Sequence, residues 1–251
     1  MMVAQPPPII RMLAHDVRWN LVSALANSDY RVHELVELVK KPINLVSYHL
    51  RQLREANLVS EQRSQADARD VYYTLDIAEL QAAYLGAAQI LHPALQPTTT
   101  ETPPVVAQSP ARILFLCTHN SARSQMAAGL MRHFGGEHVA VWSAGTEPQA
   151  VHPLALDVMN QHQLPTDELQ SNHLATFIGQ DFDYIVTVCD RARETCPVFP
   201  GDPTRIHWSF PDPAAVVGAT AQRQAFEQTF RQLQIRIRFL LTTIERQRRI
   251  A

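Results

Sequence analysis

The residues Arg112-Ile-Leu-Phe-Leu116 form a short apolar run that leads directly into Cys117-Thr-His-Asn-Ser-Ala-Arg123-Ser124. The apolar run is typical of a buried parallel strand. A helical pattern follows from Gln125 to Phe134 and ends at Gly135-Gly136, where glycine commonly terminates a helix. In a strand, loop and helix of this kind, the backbone N–H groups of the loop can converge at the N-terminus of the helix. That point favours an oxyanion.

The loop carries a cysteine and, six positions later, an arginine. The loop N–H groups and the helix dipole predict that the pKa of the Cys117 thiol lies well below the unperturbed value of about 8.5. Arg123 offers a planar fork that can grip two oxygens of a tetrahedral anion, and Ser124 can donate to the sulfur. A buried structural cysteine is the alternative, and the arginine argues against it. The predicted anion-binding loop consists of Thr118, His119, Asn120, Ser121, Ala122, Arg123 and Ser124.

Downstream of the loop, three more apolar runs predict buried strands with helices between them, at Val139 to Trp142, Tyr184 to Val188 and Arg205 to Trp208. The chain then continues into a long amphipathic helix. Its apolar positions fall four or three residues apart, at Phe226, Phe230, Leu233, Ile237, Leu240 and Ile244. A stripe with this spacing covers the face of a sheet. The pattern predicts a layered α/β domain with a four-stranded parallel sheet.

The chain of 251 residues is long enough for two small domains. Five prolines and four threonines between His92 and Pro110 indicate a linker, so we expect domains at 1–91 and 111–251, joined by residues 92–110. No apolar run approaches the roughly 20 residues that span a bilayer, and no signal peptide is evident, so we expect a cytoplasmic protein. In that reducing compartment the three cysteines are expected to be catalytic, redox-active or metal-binding.

Upstream of the linker, the apolar spacing predicts three short helices. The second and third are separated only by Lys40-Lys41-Pro42-Ile43, a tight turn that is typical of a helix-turn-helix. Two strand-like segments, Leu58 to Arg63 and Val71 to Leu75, flank a polar stretch and predict a hairpin, or wing. A last helix is predicted from Ile77 to Leu91. The net charge of -2 excludes a grossly basic protein but leaves room for a local basic face.

The loop from Cys117 to Ser124 resembles the Cys-x5-Arg-Ser signature of the low-molecular-weight protein tyrosine phosphatases. The resemblance extends to Ser143-Ala144-Gly145 after the second strand and to Asp212-Pro213 after the last. It implies the fold of that family, with Cys117 as nucleophile, Arg123 as anion-binding residue and Asp212 as general acid.

Two further cysteines have no role in a phosphatase. The segment from Ile185 through Cys189 and Cys196, followed by His207 to Pro213, is similar to the thioredoxin-coupled arsenate reductases in spacing and order. The resemblance implies a relay in which Cys117 attacks arsenic, Cys189 attacks Cys117 and Cys196 attacks Cys189. Thioredoxin or another dithiol then acts as electron donor, and no bound cofactor is expected.

The relay has a geometric consequence. If residues 189–196 were helical, the two Cα atoms would lie roughly 10.5 Å apart, whereas a disulfide tolerates about 4.4 to 6.8 Å. We therefore predict that any helix in this segment unwinds when the relay disulfide forms. The amide-exchange protection of residues 189–200 should then differ between the two redox states.

The N-terminal segments around His33, from Val46 to Val59 and from Val71 to Leu75 are similar to the winged-helix arsenic- and metal-responsive repressors. The resemblance implies operator DNA as a partner and a homodimer formed through this domain. It covers residue 9 to about residue 91, and this region contains no cysteine, so it cannot hold trivalent arsenic by its own thiolates. The predicted DNA-contacting residues are Lys40, Lys41, Asn44, Leu45, Ser47, Tyr48, Arg51, Arg54, Arg63 and Arg69.

The leading functional hypothesis is an arsenate reductase, with residual phosphatase activity, fused to a regulator of an arsenic-resistance system. The alternatives are a transcription factor whose C-terminal domain senses arsenate or redox state, and a protein tyrosine phosphatase. A zinc site has little support because the spacing of Cys189 and Cys196 does not match the usual short ligand pairs. No metal is therefore expected.

Overall fold

The computed structural model describes residues 5–92, 95, 109–167 and 169–250. The chain divides into two compact units, one made of Met1–Arg63 and Arg69–Pro104 and the other of Ser64–Ala68 and Val105–Ala251. Most of the expected linker, residues 92–110, lies outside the described residues. The boundaries 1–91 and 111–251 therefore stay predictions.

The first unit contains five helices and a small antiparallel sheet among its described residues. The strands are β1 (Tyr30–Arg31), β2 (Val59–Arg63) and β3 (Val71–Leu75), in the order β1-β3-β2. The predicted helix-turn-helix with a hairpin wing is confirmed. The helices are α1 (Pro8–Leu13), α2 (Asp16–Leu25), α3 (Val32–Val39), α4 (Ile43–Glu55) and α5 (Ile77–Leu91).

The turn between α3 and α4 forms because two residues suit its geometry. Lys40 ends α3 in the left-handed conformation, with φ 52°, and Pro42 precedes the first turn of α4. The apolar faces of the two helices then meet around Leu35, Val46 and Leu50, which are fully buried. The outer face of α4 remains exposed to solvent.

Two local features of this unit were not predicted. The short helix α1 ends at Leu13 and α2 starts separately, because the His15 ring accepts the Val17 N–H at 3.2 Å and caps α2. The strand β1 has only two residues, which is too short for any hydrophobic period.

Within its described residues, the second unit has four parallel strands in the order β5-β4-β6-β7. They are β4 (Ala111–Cys117), β5 (Val139–Gly145), β6 (Tyr184–Thr187) and β7 (Thr204–His207). The register pairs Leu116 with both Ala144 and Thr187, so the carboxyl ends of the strands meet at one edge. The helices are α6 (Arg123–Gly135), α7 (Pro153–Gln161), α8 (Asp190–Glu194) and α9 (Ala219–Ile250). The predicted four-stranded α/β fold is confirmed.

The predicted stripe on α9 is buried at all six positions from Phe226 to Ile244. Burial of each such side chain contributes about 1.5–3 kcal/mol, so this helix is a major source of stability. It packs against α6, which is itself buried over its first nine residues, Arg123 to Met131. The loop that begins at Cys117 is therefore held between a buried strand and a buried helix. Over the described residues, no helix is both long and apolar enough to cross a membrane.

Candidate active site

The carbonyl oxygens of residues 118–121 point away from the centre of the loop that follows β4. Each of them accepts a hydrogen bond from outside this stretch. The pairs are Thr118 with Glu147 N at 2.9 Å, His119 with Gln149 N at 2.9 Å, Asn120 with Gln125 Nε2 at 2.9 Å and Ser121 with His152 N at 2.8 Å. Because the carbonyls face outward, the N–H groups of the loop are left to face Cys117 and the start of α6. This arrangement is a nest, a backbone concavity whose N–H groups favour an anion.

Asn120 braces the nest from within. Its φ of 46° lies in the left-handed region, where asparagine is one of the few tolerated residues. Its backbone N–H donates to Cys117 Sγ at 3.1 Å, and its side chain donates to Ser124 Oγ at 2.9 Å and accepts from Asn172 N at 2.7 Å. Sequence reasoning placed Asn120 in the loop but missed this role.

The sulfur of Cys117 lies 2.9 Å from Ser124 Oγ. Since Asn120 already donates to that hydroxyl oxygen, the hydroxyl hydrogen of Ser124 is free to point at the sulfur. The predicted hydrogen bond from Ser124 to the nucleophile is thus present. It favours the thiolate form of Cys117.

Gly145 closes the loop from the neighbouring strand. A Cβ atom at this position would lie 2.5 Å from the Thr118 carbonyl oxygen and 2.8 Å from the Asn120 nitrogen. Both contacts are with backbone, so the loop itself would have to shift. The glycine that ends β5 is therefore required for the shape of the nest.

Arg123 and Asp212 come together at the same edge of the sheet. Arg123 is buried and donates through one terminal nitrogen to the Phe210 carbonyl at 2.8 Å. Its other terminal nitrogen lies 3.4 Å from Asp212 Oδ2. Asp212 is partly exposed and accepts from Ala214 N at 3.2 Å, which orients its carboxyl group. The predicted anion-binding residue, Arg123, and the predicted general acid, Asp212, are thus adjacent.

Cys189 follows β6 and is buried beside the loop. Its sulfur lies 3.4 Å from the Oγ1 atom of Thr118, the residue that follows Cys117. Cys196 is half-buried, and its sulfur contacts the Pro197 carbonyl at 3.8 Å. The helix α8, Asp190–Glu194, covers only part of the segment between the two cysteines. Formation of a Cys189–Cys196 disulfide would therefore require only this part to unwind.

The pKa of the Cys117 thiol shifts in the direction opposite to the one predicted from the sequence. Burial and the nearby Cys189 sulfur raise the pKa of the Cys117 thiol, whereas Arg123 and Ser124 lower it, and the balance is upward. The predicted lowering is wrong for this arrangement because the effect of burial on the Cys117 thiol outweighs that of Arg123 and Ser124. Burial also raises the pKa of Cys196, partly opposed by Arg205. No cluster of three or more metal-ligating side chains occurs within the described ranges.

The predicted DNA-contacting residues lie on α4, the turn before it and the wing. Asn44, Ser47 and Tyr48 are exposed, as are all six basic residues in the prediction. Leu45 differs, because it is half-buried against the core and presents less surface to a base. Arg51 lies over the Tyr48 ring at 5.7 Å and 3.8 Å from Glu55, and Arg54 pairs with Glu61 at 2.6 Å.

Comparison with known proteins agrees with these features. Residues 112–250 match the family described as low molecular weight phosphotyrosine protein phosphatase, and the chain belongs to this family. Residues 15–61 match the family described as bacterial regulatory protein, arsR family.

The curated relatives of this chain include proteins named arsenate reductase. The protein from Halalkalibacterium halodurans is 38% identical over 113 residues, which is 45% of this chain and 81% of that protein. The protein from Bacillus subtilis is 37% identical over 119 residues, 47% of this chain and 86% of that protein. A solved thioredoxin-dependent arsenate reductase from Corynebacterium glutamicum is 20% identical with a TM-score of 0.44, and it covers 90% of this chain and 97% of its own.

Proposed function

We propose that residues 111–251 reduce arsenate to arsenite through a thiol–disulfide relay of Cys117, Cys189 and Cys196. The observation that carries this proposal is the nest of outward-facing carbonyls around Cys117, with a second buried cysteine beside it. A phosphatase needs the nest but not Cys189. The similarity to proteins named arsenate reductase over most of their length gives independent support.

The first step uses the nest and the adjacent pair of charged residues. Arsenate lies against the loop N–H groups and Arg123, and the Cys117 thiolate attacks arsenic. Asp212 gives a proton to the departing hydroxyl group of hydrogen arsenate, which leaves as water. Arsenic remains pentavalent and bound to Cys117 Sγ, because no electrons have yet been transferred.

The second step moves two electrons to arsenic. The Cys189 thiolate attacks Cys117 Sγ, the pair of the S–As bond stays with arsenic, and arsenite leaves with a Cys117–Cys189 disulfide behind it. The Cys196 thiolate then attacks Cys189 Sγ and releases the Cys117 thiolate. An external dithiol, which we propose is thioredoxin, reduces the Cys189–Cys196 disulfide and restores the enzyme.

Arsenate-dependent consumption of NADPH through thioredoxin and its reductase tests this function. The parent protein should consume NADPH continuously. The variants that should each fail to sustain this consumption are Cys117→Ser, Cys189→Ser and Cys196→Ser. Steady turnover in the Cys196→Ser protein would contradict the relay. Efficient hydrolysis of phosphotyrosine without any reduction of arsenate would favour the phosphatase alternative instead.

For the first unit we propose that α4 binds operator DNA of an arsenic-resistance system. The exposed polar face of α4 and the match to the arsR family support this role. We also propose that the unit forms a homodimer, since α5 exposes three large apolar side chains, Tyr84, Ile90 and Leu91. Sedimentation of the full chain tests the dimer, and a monomer at micromolar concentration would contradict it.

If the protein is mainly a sensor, arsenate should change its affinity for DNA. The absence of cysteines from residues 9–91 means that a thiol-based signal has to arise at Cys117, Cys189 or Cys196. Operator binding measured with and without arsenate and reductant separates the sensor from a simple fusion of two activities.

A further inference from the structure

The segment that carries the two relay cysteines is held only weakly by its own backbone. The helix α8 has five residues, and Cys189 precedes it in an extended conformation, with φ -156° and ψ 151°. The helical hydrogen bonds at its two ends, Arg193 N to Cys189 O and Thr195 N to Arg191 O, are both 3.2 Å long. A helix of this length is not stable by itself in water, so contacts with the rest of the unit have to position Cys189.

The first residue of α8 makes such contacts. Asp190 is 1% exposed, and its Oδ1 atom accepts from His207 Nε2 at 3.1 Å and from Ser209 Oγ at 2.8 Å. His207 is also buried, and its Nδ1 atom lies 2.9 Å from Thr187 Oγ1. An ionised carboxylate only accepts, so the hydrogen between Asp190 and His207 resides on Nε2.

This network joins the carboxyl ends of two strands to the residue next to Cys189. Thr187 ends β6 and His207 ends β7. Burial raises the pKa of Asp190, but the hydrogen bonds from His207, from the Gln65 N–H to Oδ2 at 2.8 Å and from Ser209 outweigh it, and the pKa lies below its ordinary value. Asp190 is therefore a carboxylate at neutral pH, and charge-assisted hydrogen bonds of this kind are strong and directional.

The other end of the segment is held differently. Thr195 is exposed, Cys196 is half-buried, and Val198 is 85% exposed. The Pro197 carbonyl accepts from Arg205 at an exposed site, at 3.2 Å. The buried polar anchor thus lies at the Cys189 end of the segment.

We infer that Asp190 is a positioning residue for the first sulfur transfer, holding Cys189 where its thiolate can attack Cys117. This inference rests on the proposed relay. The hydrogen bonds of Asp190 do not touch Cys117, so they should affect the approach of the second sulfur and not the nucleophile itself. They also oppose unwinding of α8, so their loss should not slow the later transfer to Cys196.

The test compares Asp190→Ala and Asp190→Asn with Glu194→Gln, which removes an exposed carboxylate from the other end of α8. In the Cys196→Ser background, arsenate is added, samples are quenched with an alkylating reagent, and the Cys117–Cys189 disulfide is measured by mass spectrometry. Asp190→Ala should slow its formation by about 30-fold and Asp190→Asn by less, since the amide oxygen still accepts hydrogen bonds. Glu194→Gln should change the rate by less than about twofold.

Two further readouts separate positioning from a general loss of structure. The rate of Cys117 alkylation by iodoacetamide should not fall in any of the three variants, because moving Cys189 away from Cys117 removes an interaction that raises the pKa of that thiol. In a background that retains Cys196, transfer of the disulfide from Cys189 to Cys196 should be at least as fast in Asp190→Ala as in the parent. If Asp190→Ala does not fold, the rate of disulfide formation in Asp190→Asn and Ser209→Ala is compared with the rate in Glu194→Gln instead.

The same disulfide can be formed without arsenate by diamide, which takes two electrons from two thiols and becomes a hydrazine. If arsenate yields no disulfide in the parent protein, the proposed function fails, and the diamide rates still test the role of Asp190. Equal rates for Asp190→Ala, Asp190→Asn and Glu194→Gln with both oxidants would overturn the inference.

Discussion

The two helices that carry the proposed chemistry, α4 and α6, are exposed to very different extents. The residues of α4 proposed to contact DNA point largely into solvent, whereas α6 is buried from Arg123 to Met131. A buried site is shaped by many contacts inside its own unit, so small changes should damage it severely. An exposed site depends on its partner, so changes there should affect binding and leave stability nearly unchanged.

The largest effect is expected for Gly145→Ala. The new methyl group would push against the backbone of Thr118 and Asn120, and the nest would lose its shape. Arsenate turnover should fall by about 100-fold, measured by arsenite production. Gly86→Ala is the matched control in α5, where a Cβ meets nothing within 4 Å. It should raise stability by up to about 1 kcal/mol and leave turnover unchanged. Equal turnover in the two variants would contradict the tight packing of the nest.

The next effect is expected for Arg123→Lys. Lysine keeps the positive charge but has one terminal nitrogen where arginine has two. It therefore cannot contact Phe210 O and Asp212 together as the guanidinium of Arg123 does. The loss of one charge-assisted hydrogen bond should lower kcat/KM for arsenate by roughly 10- to 100-fold. Arg132→Lys, in the last turn of the same helix, is the control, because the Arg132 guanidinium donates to the Val141 carbonyl at 3.1 Å and not to Phe210 or Asp212. Similar kinetics for both lysine variants would show that the fork has no special role.

On the exposed helix, Arg51→Ala should weaken operator binding by roughly 10-fold in a titration at fixed salt. The side chains of Arg51 and Glu55, which form an ion pair, are 65% and 69% exposed. The change in unfolding free energy should therefore stay below about 0.5 kcal/mol. Arsenate reduction should be unaffected. A large loss of thermal stability would show that α4 is not the independent surface described above.

The smallest effect is a shift in the pH dependence of Cys117. Because the Cys189 sulfur raises the pKa of Cys117, Cys189→Ser should move the midpoint of Cys117 alkylation to lower pH. Ser124→Ala removes a hydrogen bond that lowers the pKa, so its midpoint should move to higher pH. Iodoacetamide rates measured from pH 6 to 10 give both midpoints. Shifts in the opposite directions would contradict the described contacts.

Sequence reasoning succeeded where the information was local. The apolar run before Cys117, the stripe on α9 and the turn at Lys40 to Ile43 each predicted the element that is present. Adjacent residues determine such patterns, because strand and helix periodicity act over a few positions.

It failed where the decisive contacts join distant parts of the chain. The hydrogen bond from Asn172 to Asn120 spans 52 positions, and no spacing pattern indicates it. The pKa of Cys117 was predicted with the wrong sign because helix position was considered without the burial produced by the whole unit. The contact between Asp190 and His207 likewise depends on the alignment of β6 and β7.

A single-turnover experiment without external reductant tests the relay most directly. Arsenate is added to the reduced parent protein, and arsenite and disulfides are measured together. The relay predicts one arsenite per chain, with a Cys189–Cys196 disulfide in the parent and a Cys117–Cys189 disulfide in Cys196→Ser. Arsenite released without either disulfide, or repeated turnover in the Cys196→Ser protein, would contradict it.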